Sequence, residues 1–197
     1  QPYGNPAEHK TPFPEGATES DVDGVKRPAL NSEGRPIHWS DEGVRNFWRW
    51  FGDSKVVDAE GRPLVVYHGT DADFSEFDTG TFGKTWGIDG ERGFFFTSSP
   101  GDASHFAKEA RARNEGGAAN VVPVYLKLAK PLVLEGDRSP IETLELDEGA
   151  DRVIRQARGE GHDGVIVKGG DEMLLIAFHP EQIKSAIGNR GTFSAGD

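Results

Sequence analysis

The chain has 197 residues and no cysteine. The absence of cysteine excludes disulfides and thiolate metal sites. A surplus of basic residues is also missing, since 33 acidic and 22 basic side chains give a net charge of −11. Proteins that bind duplex nucleic acid carry a basic face, because neutralised phosphates supply much of their affinity. We therefore expect neither duplex nucleic acid nor an anionic membrane as a partner.

Long hydrophobic runs are missing as well. The longest apolar stretches, at residues 64–67, 121–128 and 173–178, are strand-sized, whereas a helix that spans a bilayer needs about 20 residues. No signal peptide is visible, and the chain begins with Gln1, so we expect a piece of a longer polypeptide. The six histidines show no paired spacing with carboxylates, so we expect no metal site.

Glycine (26 residues) and proline (12 residues) are abundant. Before residue 37 they stand among charges without any hydrophobic period. We therefore divide the chain into a Pro/Gly-rich N-terminal arm or linker at residues 1–37 and one domain at residues 38–197. The arm is either a disordered linker or an extended segment that lies across the domain or a partner.

Hydrophobic patterns predict the helices and strands of the domain. Ser40 is a predicted N-cap, because two acidic residues follow it and an apolar helical face runs to Gly52. Pro100 opens a second predicted helix, and residues 141–158 are predicted to be partly helical. Pro123 predicts an edge position or a bulge for its strand. Helices and strands do not alternate strictly, so the fold class is α+β. The predicted strands cover residues 64–67, 93–98, 121–128, 132–134, 164–167 and 174–178.

A histidine and a glycine follow the first of these strands. His68 is consistent with a ligand contact, and equally with a strand-end histidine that hydrogen-bonds a neighbouring loop. Gly69 allows a ligand or another backbone to approach closely.

Aromatic residues dominate the strand at residues 93–98 and reach into the next helix. Side chains alternate along a strand, so Phe95 points away from Phe94 and Phe96. One face enters the core, and the other is available to line a cleft with Phe106. Two facing rings can hold a planar cation such as nicotinamide, although a plain aromatic core fits the same pattern.

Taken in order, these elements resemble the ADP-ribosyltransferase superfamily. The arrangement is that of its histidine–tyrosine–glutamate branch, which includes diphtheria-toxin-like enzymes and poly(ADP-ribose) polymerases. The closest likeness is to ADP-ribosyltransferase-like domains of phage and mobile-element polyvalent proteins. The likeness runs from about residue 40 to the C-terminus. It is carried by His68-Gly69-Thr70, by residues 93–98 with Ala103 and Phe106, and by residues 46–58, 123–126, 163–166 and 178–193.

The resemblance implies a split β-sandwich of the ADP-ribosyltransferase type with flanking helices, and NAD+ in the cleft between its halves. His68 would hydrogen-bond the adenosine ribose, and the backbone of Gly69 would hold the nicotinamide carboxamide. Phe95 takes the place of a stacking tyrosine, and a ring face suffices for stacking. Phe106 would be the second wall. Further polar contacts are expected from Thr70, Thr97 and Ser98.

The sequence departs from the family pattern at the catalytic glutamate, which stabilises the oxocarbenium-like transition state. Aligned on residues 178–183, that position falls on Leu174, which has no carboxylate. Glu172 lies two residues earlier, on the same face of an extended strand, and is our candidate catalytic residue together with His68. It is alternatively a solvated turn residue. Glu181, in the following turn, is the other carboxylate nearby.

The expected function is transfer of ADP-ribose from NAD+, as substrate, to a macromolecular acceptor with release of nicotinamide. We expect a protein acceptor rather than nucleic acid. The implied enzyme is of a phage or toxin type, and acts in a cytoplasm or is delivered by a virion into that of a host. The alternatives are a non-catalytic NAD-binding or virion interaction module with the same fold, and an NAD+ glycohydrolase. The loop at residues 71–92, including Trp86, is either the target-recognition segment or an ordinary surface loop.

Overall fold

The structure is a computed structural model that describes residues 14, 16–70, 93–113, 119–146 and 149–187. Over these residues the chain forms helices and a large mixed sheet, which confirms the α+β class. The helices are α1 (Asp41–Phe51), α2 (Pro100–Arg113), α3 (Pro140–Leu146) and α4 (Ala150–Gly159). The strands are β1 (Glu19–Val22), β2 (Val25–Pro28), β3 (Val66–Thr70), β4 (Phe94–Thr97), β5 (Asn120–Leu126), β6 (Leu132–Gly136), β7 (Gly164–Gly169), β8 (Glu172–Ala177) and β9 (Ile183–Ser185).

The large sheet is nearly divided in two. Its strand order is β6-β7-β8-β4-β3-β5-β9, with β6 parallel to β7 and the other neighbours antiparallel. The ladder between β3 and β4 holds one residue pair, Tyr67 with Thr97. The four strands from β6 to β4 therefore form one half, and β3, β5 and β9 form the other.

The two halves share a buried apolar cluster. Val66 and Val124 enter it from the β3 half, while Phe94, Phe96 and Leu175 enter it from the other half. All five side chains are at most 5% exposed. Because burial of apolar surface is the dominant favourable term in folding, this cluster holds the halves together where backbone pairing does not. This arrangement is the split β-sandwich that the resemblance implies.

Helix α1 covers the outer face of the β3 half. The Ser40 hydroxyl accepts a hydrogen bond from the Gly43 N–H at 3.1 Å, which confirms the predicted N-cap. Gly52 ends the helix with φ at +58°, a conformation that favours glycine. The buried side of α1 packs with Tyr125 of β5, with Val22 of the hairpin that β1 and β2 form, and with Ala29 and Ile37 after that hairpin. Part of the predicted arm therefore packs on α1, as a hairpin and the chain that follows it, while the division at residue 37 stays a prediction.

Helices α3 and α4 cover the outer face of the other half. Leu144, Val153 and Ile154 pack there against β7 and β8, in a cluster that includes Leu174 and Ile176. Helix α2 lies instead against β3, beside the point where the sheet divides. The helices thus flank the sheet on both sides of the divide, and none among the described residues is long and apolar enough to cross a membrane.

One prediction for the strands is wrong. Pro123 lies in β5, which has β3 on one side and β9 on the other, so its strand is not at an edge. The Pro123 carbonyl accepts a hydrogen bond from the Ala186 N–H at 2.9 Å. The N–H and C=O of a strand residue point to the same side, and Ala186 lies just beyond β9. The side of Pro123 where an N–H would point therefore faces the chain just beyond the end of β9. The missing N–H of proline removes no hydrogen bond from the ladder between β5 and β9.

Candidate functional site

His68 lies where β3 and β4 separate. The pair Tyr67–Thr97 closes the ladder, and one residue further along β3 the His68 Nδ1 lies 2.8 Å from the Phe95 carbonyl oxygen. A carbonyl oxygen can only accept, so we assign the proton to Nδ1. In this tautomer Nε2 is the nitrogen that accepts hydrogen bonds. The imidazole thus bridges two strands that no longer pair through their backbones.

The surroundings of His68 favour its neutral form. Burial lowers the pKa of His68 below the ordinary 6.5, and the hydrogen bond to the Phe95 carbonyl opposes this shift in part. The ring lies 5.5 Å from the ring of Phe96, at an interplanar angle of 52°. Near neutral pH the side chain is therefore an uncharged imidazole, which suits it to accept a hydrogen bond from a hydroxyl group.

The three consecutive phenylalanines of β4 divide between two faces, as predicted. Phe94 and Phe96 are buried in the cluster between the halves. Phe95 is partly buried and packs with the α3 and α4 cluster, on the face that carries Leu174. The His68 ring thus contacts the ring of Phe96, and its Nδ1 is hydrogen-bonded to the backbone carbonyl of Phe95.

Gly69 lies where α2 meets β3. A β-carbon at this position would be 2.0 Å from the Ala103 carbonyl oxygen and 2.9 Å from the Ala107 nitrogen. Both contacts are with helix backbone, which cannot rotate away as a side chain can. Glycine is therefore required for packing here, whatever contact its backbone makes with a ligand.

A small cavity brings several predicted residues together. Thr97, Phe106, Glu172 and Leu174 all line it. Its volume is about 20 Å³, which is room for about one water molecule. Sequence reasoning missed its other lining residues, which are Asp102, Ser139, Pro140, Ile141 and Met173.

Two sequence signals point to the missed residues. Asp102 precedes Phe106 by four positions, and residues four apart share one side of a helix. Ser139 caps the start of α3, since its hydroxyl accepts from the Glu142 N–H at 3.3 Å. A serine followed by Pro140 is a typical helix start, so the sequence contained the evidence for α3 but not for its place beside the cavity.

Leu174, which the sequence resemblance predicts to stand in place of the family glutamate, lines this cavity. Leu174 is 5% exposed and pairs with Thr97 of β4. Glu172 begins β8, has an exposed side chain, and pairs with Gly169. Alternation along β8 puts Glu172 on the same face as Leu174. Glu181 lines a different cavity, with Trp50 and four other residues.

The remaining predicted polar residues have structural partners. The Ser98 hydroxyl accepts from the Met173 N–H at 2.8 Å, and the Ser98 N–H donates to the Met173 carbonyl at 2.9 Å. The Thr97 hydroxyl accepts from the Ser99 N–H at 3.0 Å. Thr70 is buried at the end of β3, opposite Asn120. The contacts of Thr97 and Ser98 fix the ends of β4 and β8 beside the cavity.

Two stretches that carry the family likeness stabilise the fold. The Gln182 side chain accepts from the N–H groups of Phe178 and His179 at 2.9 and 2.8 Å, and donates to two carbonyls at 3.1 and 2.8 Å. The Ser54 hydroxyl donates to the Leu126 carbonyl at 2.8 Å and accepts from the Leu128 N–H at 3.1 Å. Neither residue lines the cavity. The loop at residues 71–92, with Trp86, lies outside the described residues.

Comparison with known proteins places the chain in a family. The sequence model of the family described as "ADP-Ribosyltransferase in polyvalent proteins" matches residues 58–193, well over half of the chain. No curated protein matches the chain. The matched region includes the whole large sheet, His68 and the cavity. The split sheet and this match agree: the chain belongs to the family of ADP-ribosyltransferases found in polyvalent proteins.

Proposed function

We propose that the domain transfers ADP-ribose from NAD+ to a macromolecular acceptor and releases nicotinamide. The observation that carries the proposal is the place of His68 at the divide between β3 and β4, where its Nδ1 lies 2.8 Å from the Phe95 carbonyl oxygen. The Nδ1 proton is donated to the Phe95 carbonyl, so Nε2 is the acceptor nitrogen of the ring, and in the complex with NAD+ it accepts a hydrogen bond from a ribose hydroxyl.

The nicotinamide binds on the α2 side of this divide. The Gly69 backbone holds its carboxamide, and Phe95 and Phe106 contribute aromatic faces for its cationic ring. Thr70, Thr97 and Ser98 are the nearby hydroxyl groups. Because the cavity beside Phe106 holds only about 20 Å³, binding requires its walls to move apart.

In the reaction the bond between ribose C1′ and the nicotinamide nitrogen breaks, and its electron pair stays on the nitrogen. Neutral nicotinamide leaves, and positive charge develops on the ribose. A nucleophile of the acceptor forms the new bond to C1′ and releases its proton to solvent. The Glu172 carboxylate stabilises the developing charge, because a preorganised opposite charge lowers the barrier most where charge appears in the transition state.

We propose a protein as the acceptor, because the net charge of −11 disfavours a polyanion. The enzyme would act in the cytoplasm of a cell into which a phage or toxin-type polypeptide brings it. With water as the acceptor, the same site would be an NAD+ glycohydrolase.

A non-catalytic NAD-binding or interaction module is the second candidate. The buried Leu174, in the position of the family glutamate, favours it. Such a module would keep the contact of His68 with NAD+ and would release no nicotinamide.

The test uses NAD+ labelled on its adenylate. Nicotinamide release and label retained on macromolecules of a lysate are measured for the wild type, His68→Ala and Glu172→Gln, each shown to be folded by circular dichroism. Release that depends on both residues supports the proposed reaction, and retained label separates transfer from hydrolysis. If the wild type releases no more nicotinamide than His68→Ala, the enzymatic proposal is wrong. Binding of NAD+ that His68→Ala abolishes would then support the binding module.

A further inference from the structure

The cavity beside Leu174 has a second carboxylate, which comes from α2. We propose that Asp102 is a catalytic residue, and that its carboxylate contacts the ribose on which positive charge develops. The inference rests on the proposed function. In this arrangement α2 supplies the carboxylate that β8 lacks at Leu174.

Two residues of α2 share the cavity wall. Asp102 and Phe106 are four positions apart, so their side chains leave α2 on the same side. Both line the cavity that Leu174 closes from β8. If Phe106 contacts the nicotinamide ring, Asp102 lies about 6 Å away along the helix, a separation comparable with that between the ring and the far side of the ribose.

Asp102 is held firmly in place by its backbone. Its N–H donates to the Ser99 hydroxyl at 3.3 Å, in the first turn of α2. The next residue, Ala103, presses its carbonyl against Gly69 of β3. These contacts anchor the first turn of α2, so the opening that NAD+ requires falls to the other walls of the cavity. A carboxylate carried by an anchored helix needs little reorganisation when charge develops, and preorganisation is what makes electrostatic stabilisation effective.

Glu172 lines the same cavity from β8, but its anchoring is different. It follows the turn at Gly170, where φ is +59°, and its side chain is exposed. Asp102 is partly buried. Charges in a less hydrated position interact more strongly, so Asp102 makes the larger contribution of the two.

The bonds that break and form are the same as in the proposed reaction. The C1′–N bond breaks, the electron pair leaves with nicotinamide, and the cationic ribose is flanked by the carboxylates of Asp102 and Glu172. The acceptor nucleophile then bonds to C1′ and gives up its proton to solvent. Neither carboxylate forms a covalent bond.

The experiment compares four single variants with the wild type, by steady-state release of nicotinamide from NAD+. They are Asp102→Asn, Asp102→Glu, Glu172→Gln and the control Asp171→Asn, whose side chain is exposed and does not line the cavity. We expect Asp102→Asn to lower kcat about 100-fold, with little change in KM. Asp102→Glu keeps the charge and should retain more activity than Asp102→Asn. Asp171→Asn should release nicotinamide at the rate of the wild type. The melting temperature of every variant should equal that of the wild type.

The outcomes separate the inference from the proposed function. If the wild type releases nicotinamide in a His68-dependent reaction and Asp102→Asn is as fast, the role of Asp102 is refuted and the proposed function stands. Equal losses in Asp102→Asn and Asp102→Glu would mean that shape and not charge matters, which also refutes it. If the wild type releases no nicotinamide, the proposed function fails and the inference fails with it.

Discussion

Substitution of Gly69 by alanine tests how the fold positions the site. The new β-carbon would lie 2.0 Å from the Ala103 carbonyl oxygen, where ordinary contact begins at 3.4 Å. Helix α2 must therefore retreat by roughly 1.4 Å. Forced overpacking of this kind costs about 1–3 kcal/mol. We expect a value near the upper end, because the atoms that clash belong to the helix backbone.

Urea denaturation followed by circular dichroism measures this loss as a change in the free energy of unfolding. The matched control is Gly101→Ala, in the first turn of the same helix. There the β-carbon would meet only the Ser99 hydroxyl, at 3.6 Å, and alanine in place of a helical glycine stabilises by about 0.5–1 kcal/mol. The two substitutions should therefore move stability in opposite directions. If Gly69→Ala unfolds at the same urea concentration as the wild type, α2 does not rest on β3 as described.

Three further predictions concern stability. Gln182→Leu leaves two N–H groups and two carbonyls without their partner. It should lower the free energy of unfolding by about 3 kcal/mol in urea denaturation. Glu181→Gln, at the exposed neighbouring residue, is the control and should leave the free energy of unfolding unchanged. Ser54→Ala removes bonds to three backbone groups and should cost about 2 kcal/mol; a loss below about 0.5 kcal/mol would contradict this. Burial lowers the pKa of folded His68 below 6.5, so the unfolded chain binds more protons and stability falls as the pH drops below 6.5. His68→Gln should flatten this part of the pH profile, and an unchanged profile would contradict the assignment.

Local sequence patterns predicted most elements of the domain. The N-cap at Ser40, the helix start at Pro100 and the strand of three phenylalanines follow from capping chemistry and periodicity, which depend on near neighbours. The hairpin at residues 19–28 was missed, because its apolar residues are few and become buried only against α1. The edge position inferred from Pro123 was wrong, because the sequence does not reveal where the neighbouring strand ends.

Single residues of the candidate site could be predicted from the sequence, but their contacts with one another could not. The sequence singled out His68, but the carbonyl of Phe95 that selects its tautomer comes from a strand 27 positions away. Gly69 was predicted to let a ligand or another backbone approach closely, and the structure shows the close approach of the α2 backbone. Asp102 was missed because its role depends on the place of α2 beside Leu174, which is a tertiary property.

The most direct test of the central claim observes His68 while NAD+ is added. Nitrogen-15 NMR of the imidazole distinguishes the two nitrogens, and the spectrum of His68→Gln identifies the signals. We predict a neutral ring with the proton on Nδ1 before addition, and a shift of Nε2 that saturates with NAD+ as the ribose hydroxyl donates to it. A His68 imidazole that remains unchanged at saturating NAD+ would contradict the claim that this residue forms the dinucleotide site.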